Sequence, residues 1–133
     1  MLRSALVVLA IATAATAVVV PAHGQRKSLH MLDELDRGSW ELRERGGPVR
    51  AMCVDNGRRF IQLRHPGAPC SSVVVDDLPD EVTVQYTCRG QGYGRTHIRR
   101  ETNRLVQVDS QGIVDGLPFS FSAEGRMTGA CGG

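Results

Sequence analysis

The stretch Val82-Thr83-Val84-Gln85-Tyr86-Thr87-Cys88 decides the fold class. Val82, Val84, Tyr86 and Cys88 alternate strictly with Thr83, Gln85 and Thr87, and Arg89 continues the polar series. A period of two puts these two sets on opposite sides of an extended chain, so one side faces a core and the other faces water. The residue types agree, since β-branched and aromatic side chains fit a pleated, half-buried surface.

Moving toward the C-terminus, Gly90, Gly92 and Gly94 read as a turn, after which Thr96 and Ile98 resume the alternation opposite Arg95, His97, Arg99 and Glu101. A turn near Asn103 leads to Leu105, Val106, Gln107 and Val108, and Asp115-Gly116 is a hairpin signal. Phe119 and Phe121 then alternate with Ser120 and Ser122, and residues 127–131 close the chain. Toward the N-terminus, the apolar run Val73-Val74-Val75 ends at Asp76-Asp77, and Pro79-Asp80 turns the chain. Earlier, Trp40 and Leu42 alternate with Glu41 and Arg43. Gly46-Gly47-Pro48 makes a turn, and Val49, Ala51 and Cys53 alternate with Arg50 and Met52. Asp55-Asn56-Gly57 fits either a tight turn or the cap of a helical turn holding Phe60, Ile61 and Leu63. His65-Pro66-Gly67-Ala68-Pro69 reads as a loop. The whole predicts a mainly all-β domain over residues 39–133. About seven or eight short strands form an antiparallel meander, curled into a small barrel or sandwich.

The N-terminus has a different character. After Arg3, residues 5–20 carry no charge, Pro21 breaks the run, and Ala22-His23-Gly24 puts small residues before Gln25. That order predicts a signal peptide over residues 1–24, cleaved near Gln25, and so a periplasmic or secreted protein. The run is shorter than the ~20 residues that span a bilayer, so no stable membrane span is expected after processing. Residues 25–38 form a lead-in. Within it Leu29, Leu32 and Leu35 are spaced for one face of a short helix, with Ser28 as N-cap and Gly38 as stop.

The exported part, about 109 residues, is small for a domain stabilised by burial alone. It has only six aromatic residues but holds all four Cys. In an oxidising compartment Cys53, Cys70, Cys88 and Cys131 are expected to form two disulfides. Three pairings are open. Cys53–Cys70 with Cys88–Cys131 is the expected one, because the first would clip the insert around Phe60 and the second would tie the last strand to a central one. The gaps of 17, 18 and 43 residues between successive Cys lack the close pairs of a zinc site. The net charge of +2, with no basic tail, offers no case for nucleic acid.

No catalytic or cofactor constellation emerges. Gly90-Gln91-Gly92-Tyr93-Gly94 lacks the spacing and the following helix of a phosphate-binding loop. There is no G-x-S-x-G elbow, and Cys held in disulfides are inert as nucleophiles. The acidic neighbours Asp76-Asp77 and Asp80-Glu81 read as solvated turns. The candidate site is instead Arg95, His97 and Arg99, on one strand face by parity, with Arg100 and Arg104 close by. Guanidinium groups there could bind carboxylate or phosphate, set against the plainer alternative of a solvated face laced with ion pairs.

Gly38-Ser39-Trp40-Glu41, the segment around Cys53, Tyr86-Thr87-Cys88 before a Gly-rich turn, and Met127-Thr128-Gly129-Ala130-Cys131 fall in a familiar order. Together they resemble the small exported bacterial proteins of the domain of unknown function 3617 family, over most of the exported part. The resemblance implies export, a stapled β fold and the same Cys53–Cys70, Cys88–Cys131 pairing, and carries over no catalytic or binding residue. The chain departs from the family in Ser39, where a bulkier apolar residue is common, and in a longer polar lead-in before Gly38.

The expected function is a non-catalytic periplasmic or secreted module binding an anionic envelope component, with no cofactor. The alternative is an inhibitor of an attacking enzyme. Exported lysozyme inhibitors have a Tyr-x-Cys strand similar to Tyr86-Thr87-Cys88, but their Ser-Ala-Ser-Gly loop has no counterpart in Ser120-Phe121-Ser122-Ala123.

Overall fold

The structure is a computed structural model describing residue 18 and residues 28–132. The expected signal segment and its cleavage point lie, Val18 apart, outside the described residues. A short helix α1 (His30–Asp33) precedes seven strands: β1 (Gly38–Glu44), β2 (Val49–Val54), β3 (Cys70–Asp77), β4 (Glu81–Cys88), β5 (Gly92–Thr102), β6 (Leu105–Val114) and β7 (Leu117–Gly129). All belong to one antiparallel sheet in the order β2-β1-β7-β6-β5-β4-β3. Strands β3 to β7 form the expected meander. Strand β7 then returns beside β1, and the sheet stays open, with β2 and β3 at its edges.

The alternation read from β4 sorts side chains as expected. Val82, Val84, Tyr86 and Cys88 are buried, joined on the same face by Trp40 and Leu42 of β1, Thr96 and Ile98 of β5, and Val106 and Val108 of β6. Thr83, on the polar side by parity, is nevertheless buried beside the bulge in β3. In β2 the inward set is Arg50, Met52 and Val54 rather than Val49, Ala51 and Cys53. The register opposes Met52 to Trp40 and Arg50 to Leu42, and cross-strand partners share a face. Only Gly90 of the glycine series lies in the turn; Gly92 and Gly94 belong to β5. Gly94 is needed there because a Cβ would come 2.5 Å from the Tyr86 ring. Asp115 and Gly116, with φ of 50° and 79°, make the tight hairpin between β6 and β7.

A single sheet face cannot bury itself, and the covering layer comes from the two irregular segments. Met31, Leu32 and Leu35 supply one part, and Phe60, Ile61 and Leu63 the other. The helix spans four residues instead of the expected eight. Its cap position is Leu29, in the left-handed region at φ 55°, and not Ser28. Asp55-Asn56-Gly57 proves to be a helical cap: the Asn56 side chain accepts from the Arg58 N–H at 2.8 Å, starting a 3-10 turn at Gly57–Phe60. Phe60 meets the Trp40 ring edge-on at 5.1 Å, and the Trp40 indole N–H donates to the Asp36 carbonyl. The Thr96 hydroxyl donates to the Ile61 carbonyl at 2.5 Å, which pins the insert to the middle of the sheet. His65 is also buried. Its Nε2 lies 3.2 Å from the Gln91 carbonyl, which can only accept, so in the neutral ring Nδ1 accepts from the Tyr86 hydroxyl at 2.9 Å.

The disulfides are Cys53–Cys131 and Cys70–Cys88, correcting the expected Cys53–Cys70 and Cys88–Cys131. The cause is topological. Cys70 opens β3 directly opposite Cys88 at the end of β4, 4.2 Å away between Cα atoms. Strand β7 pairs with β1, the neighbour of β2, and so delivers Cys131 beside Cys53.

Candidate functional site

The outer face of the sheet is built in rows by strand register. Glu81, Arg99, Gln107 and Glu124 lie abreast across β4 to β7. Thr83, His97, Asp109 and Ser122 form the next row, followed by Gln85, Arg95, Gln111 and Ser120, then Thr87, Tyr93, Ile113 and Pro118. The parity of β5 therefore brings Arg95, His97 and Arg99 onto one face.

Their surroundings differ. His97 Nε2 is 3.2 Å from the Glu81 carboxylate, and Arg99 donates to Glu101 at 3.1 Å. Arg126 donates to Glu124 at 3.1 Å and, with help from Gln107, holds that carboxyl below its ordinary range. The Ser122 hydroxyl donates to Asp109 at 2.5 Å. Arg95 has no side-chain partner among the described residues. It stands between two shallow depressions, which together place Gln85, Tyr93, His97, Asp109, Gln111 and Ser120 around it. One depression has a volume of about 190 Å³ and the other about 410 Å³. The Tyr93 ring is half exposed.

Arg100 and Arg104 do not join this group. Arg100 donates to Asp80 at 2.9 Å and to Glu34 at 2.5 Å, tying the segment after α1 to the sheet, and these carboxylates raise its pKa further. Arg104 lies 4.0 Å from Asp36. Their guanidiniums are structural ties.

Chemically, the face around Arg95 can offer a planar cation, an imidazole, a carboxylate, two amides, hydroxyls and aromatic rings, Tyr93 among them. The Ser122–Asp109 and His97–Glu81 contacts divide the polar groups into pairs that do not order a serine, a histidine and a carboxylate as a relay. Among the described residues no group of His, Cys, Asp and Glu is placed to hold a metal ion. Parity alone would have pointed to Tyr93 as well, since it precedes Arg95 by two residues; Gln85, Gln111 and Ser120 become its neighbours only through register. Comparison with family models, curated proteins and solved structures finds no match for this chain.

Proposed function

We propose that the chain is an exported, non-catalytic binding module of the bacterial envelope, akin to the proteins of the domain of unknown function 3617 family, and that it takes an anionic ligand at Arg95. The carrying observation is that, among the described residues, the Arg95 guanidinium has no partner on a face where His97, Arg99 and Arg126 each have a carboxylate partner. A guanidinium with no partner among the described residues, beside the hydrogen-bonding side chains of Gln85, Gln111 and Ser120, suits a carboxylate or phosphate group, which it can meet in bidentate fashion, although the Asp109 carboxylate lines one of its two depressions. The two disulfides and the apolar run ahead of Pro21 support export.

The test is a titration with acetate and with inorganic phosphate, following the side-chain N–H signals of Arg95 and Arg99 by NMR. The Arg95 signal should move first. Loss of its charge-assisted contacts in Arg95→Gln should cost ~1.5–3 kcal/mol, weakening binding roughly ten- to hundredfold. Uniform movement of all arginine signals, or unchanged binding in Arg95→Gln, would refute the site. N-terminal sequencing of the periplasmic or secreted protein should begin near Gln25; a product retaining Met1 would refute export.

A further inference from the structure

Independently of the outer face, the edge strand β2 stands above a groove on the inner side of the sheet. Among the described residues β2 hydrogen-bonds only to β1. The Glu44 N–H donates to the Pro48 carbonyl at 3.2 Å. Counting on from that pair, the alternation of an antiparallel ladder has Arg50 and Met52 bond to β1, and leaves Val49, Ala51 and Cys53 with N–H and C=O groups directed outward. All three are exposed. Beneath this edge lies a groove of about 620 Å³ between Arg50 and Met52 on one side and Arg58, Arg59, Leu63 and Pro66 on the other.

The charges around it do not balance. Arg58 pairs with Asp33, and Arg59 with Asp55. Glu44 is already held by both nitrogens of Arg64, at 2.8 and 2.9 Å, so Arg50, at 3.8 Å from the same carboxylate, is the surplus cation. The opposite edge is different: β3 is broken by a bulge between Val74 and Asp76 and carries Asp76 and Asp77, devices that discourage strand addition.

We infer that β2 accepts an extended, acidic segment of a partner polypeptide as an additional strand. The outward backbone groups would supply the ladder. Alternate side chains of the segment would enter the groove over Met52, Leu63 and Pro66, and an acidic one would meet Arg50.

The probe is a capped synthetic peptide of about seven residues carrying Val, Glu and Val in turn on one face and Thr on the other, with a control in which Lys replaces the Glu. Hydrogen exchange of the oxidised protein should slow at Val49, Ala51 and Cys53 with the acidic peptide alone. Ala51→Pro deletes an outward N–H without breaking a bond to β1, and should weaken binding at least roughly tenfold while thermal unfolding shows a folded domain. Arg50→Glu should reverse the preference between the two peptides. Equal binding of both peptides, unprotected β2 amides, or full binding by Ala51→Pro would overturn the inference. Concentration-dependent dimerisation through β2 with no peptide binding would also overturn it. If Ala51→Pro does not fold, the Arg50→Glu reversal decides.

Discussion

The two faces of the sheet are made by the same strands and obey different energetics. On the inner face Trp40, Leu42, Val82, Val84, Tyr86, Ile98, Val106 and Val108 are sealed under the segments around Leu32 and Phe60. On the outer face, the same strands present Glu81, His97, Arg99, Asp109, Gln107 and Glu124 in hydrogen-bonded pairs open to water. Burial of apolar area drives folding, whereas exposed ion pairs add ~0–1 kcal/mol each. The difference teaches where change is tolerated. The inner face carries stability, and the outer face is free to carry recognition.

The sharpest way to break the contrast is Trp40→Ala. It leaves a cavity against Phe60 and strips the Asp36 carbonyl of its partner, at a cost of ~3–5 kcal/mol in urea unfolding. A loss below about 1 kcal/mol would mean that the covering layer is not packed as described.

The disulfides test the same contrast at the rim. Cys88 is buried on the inner face, while Cys53 and Cys131 are exposed. Limited reduction followed by alkylation should therefore label Cys53 and Cys131 before Cys70 and Cys88. By the loop-entropy argument, removing Cys70–Cys88, which closes 18 residues, costs about 3 kcal/mol. Peptide mapping that links Cys53 to Cys70 would overturn the strand order itself.

A smaller effect comes from Glu44, an inward-facing carboxylate on the last residue of β1. The Arg64 guanidinium holds its pKa below the ordinary value of 4.5. A carboxyl depressed in the folded state stabilises the protein above the unfolded value, and that contribution is lost as pH falls through the folded one. Melting temperature should therefore decline from just above pH 4.5 downward, and less steeply in Glu44→Gln. Parallel curves for both proteins would remove Glu44 from the account. Smallest of all, Arg95→Gln with Arg99→Gln should change stability by ~1 kcal/mol or less. A larger loss would make the outer face structural.

Much of this was legible in the alternation. The period of two in residues 82–88 and 95–99 located strands β4 and β5 and put Arg95, His97 and Arg99 on one face, because side-chain direction in a strand is local. The same logic misassigned β2, where Val49, Ala51 and Cys53 alternate as cleanly as a core strand yet face out. An edge strand with a charged inward residue, Arg50, has no local signature that separates its two sides. Ser28 failed as a cap because the short helix is held by packing against the 3-10 turn, by the Leu29 N–H, which donates to Asp77 at 3.2 Å, and by Arg58, whose guanidinium donates to the Ser28 carbonyl at 2.7 Å.

The sequence by itself determined the strands, their turns and the need for four oxidised Cys, since these follow from side-chain period, φ-tolerant residues and a core too small to stand alone. Only the tertiary structure decided which Cys meet, which strand is an edge, and that among the described residues Arg95 has no partner while His97 and Arg99 do. The physical reason is the return of β7 to β1. That pairing joins residues roughly eighty to ninety positions apart, and no local pattern encodes the register in which they meet.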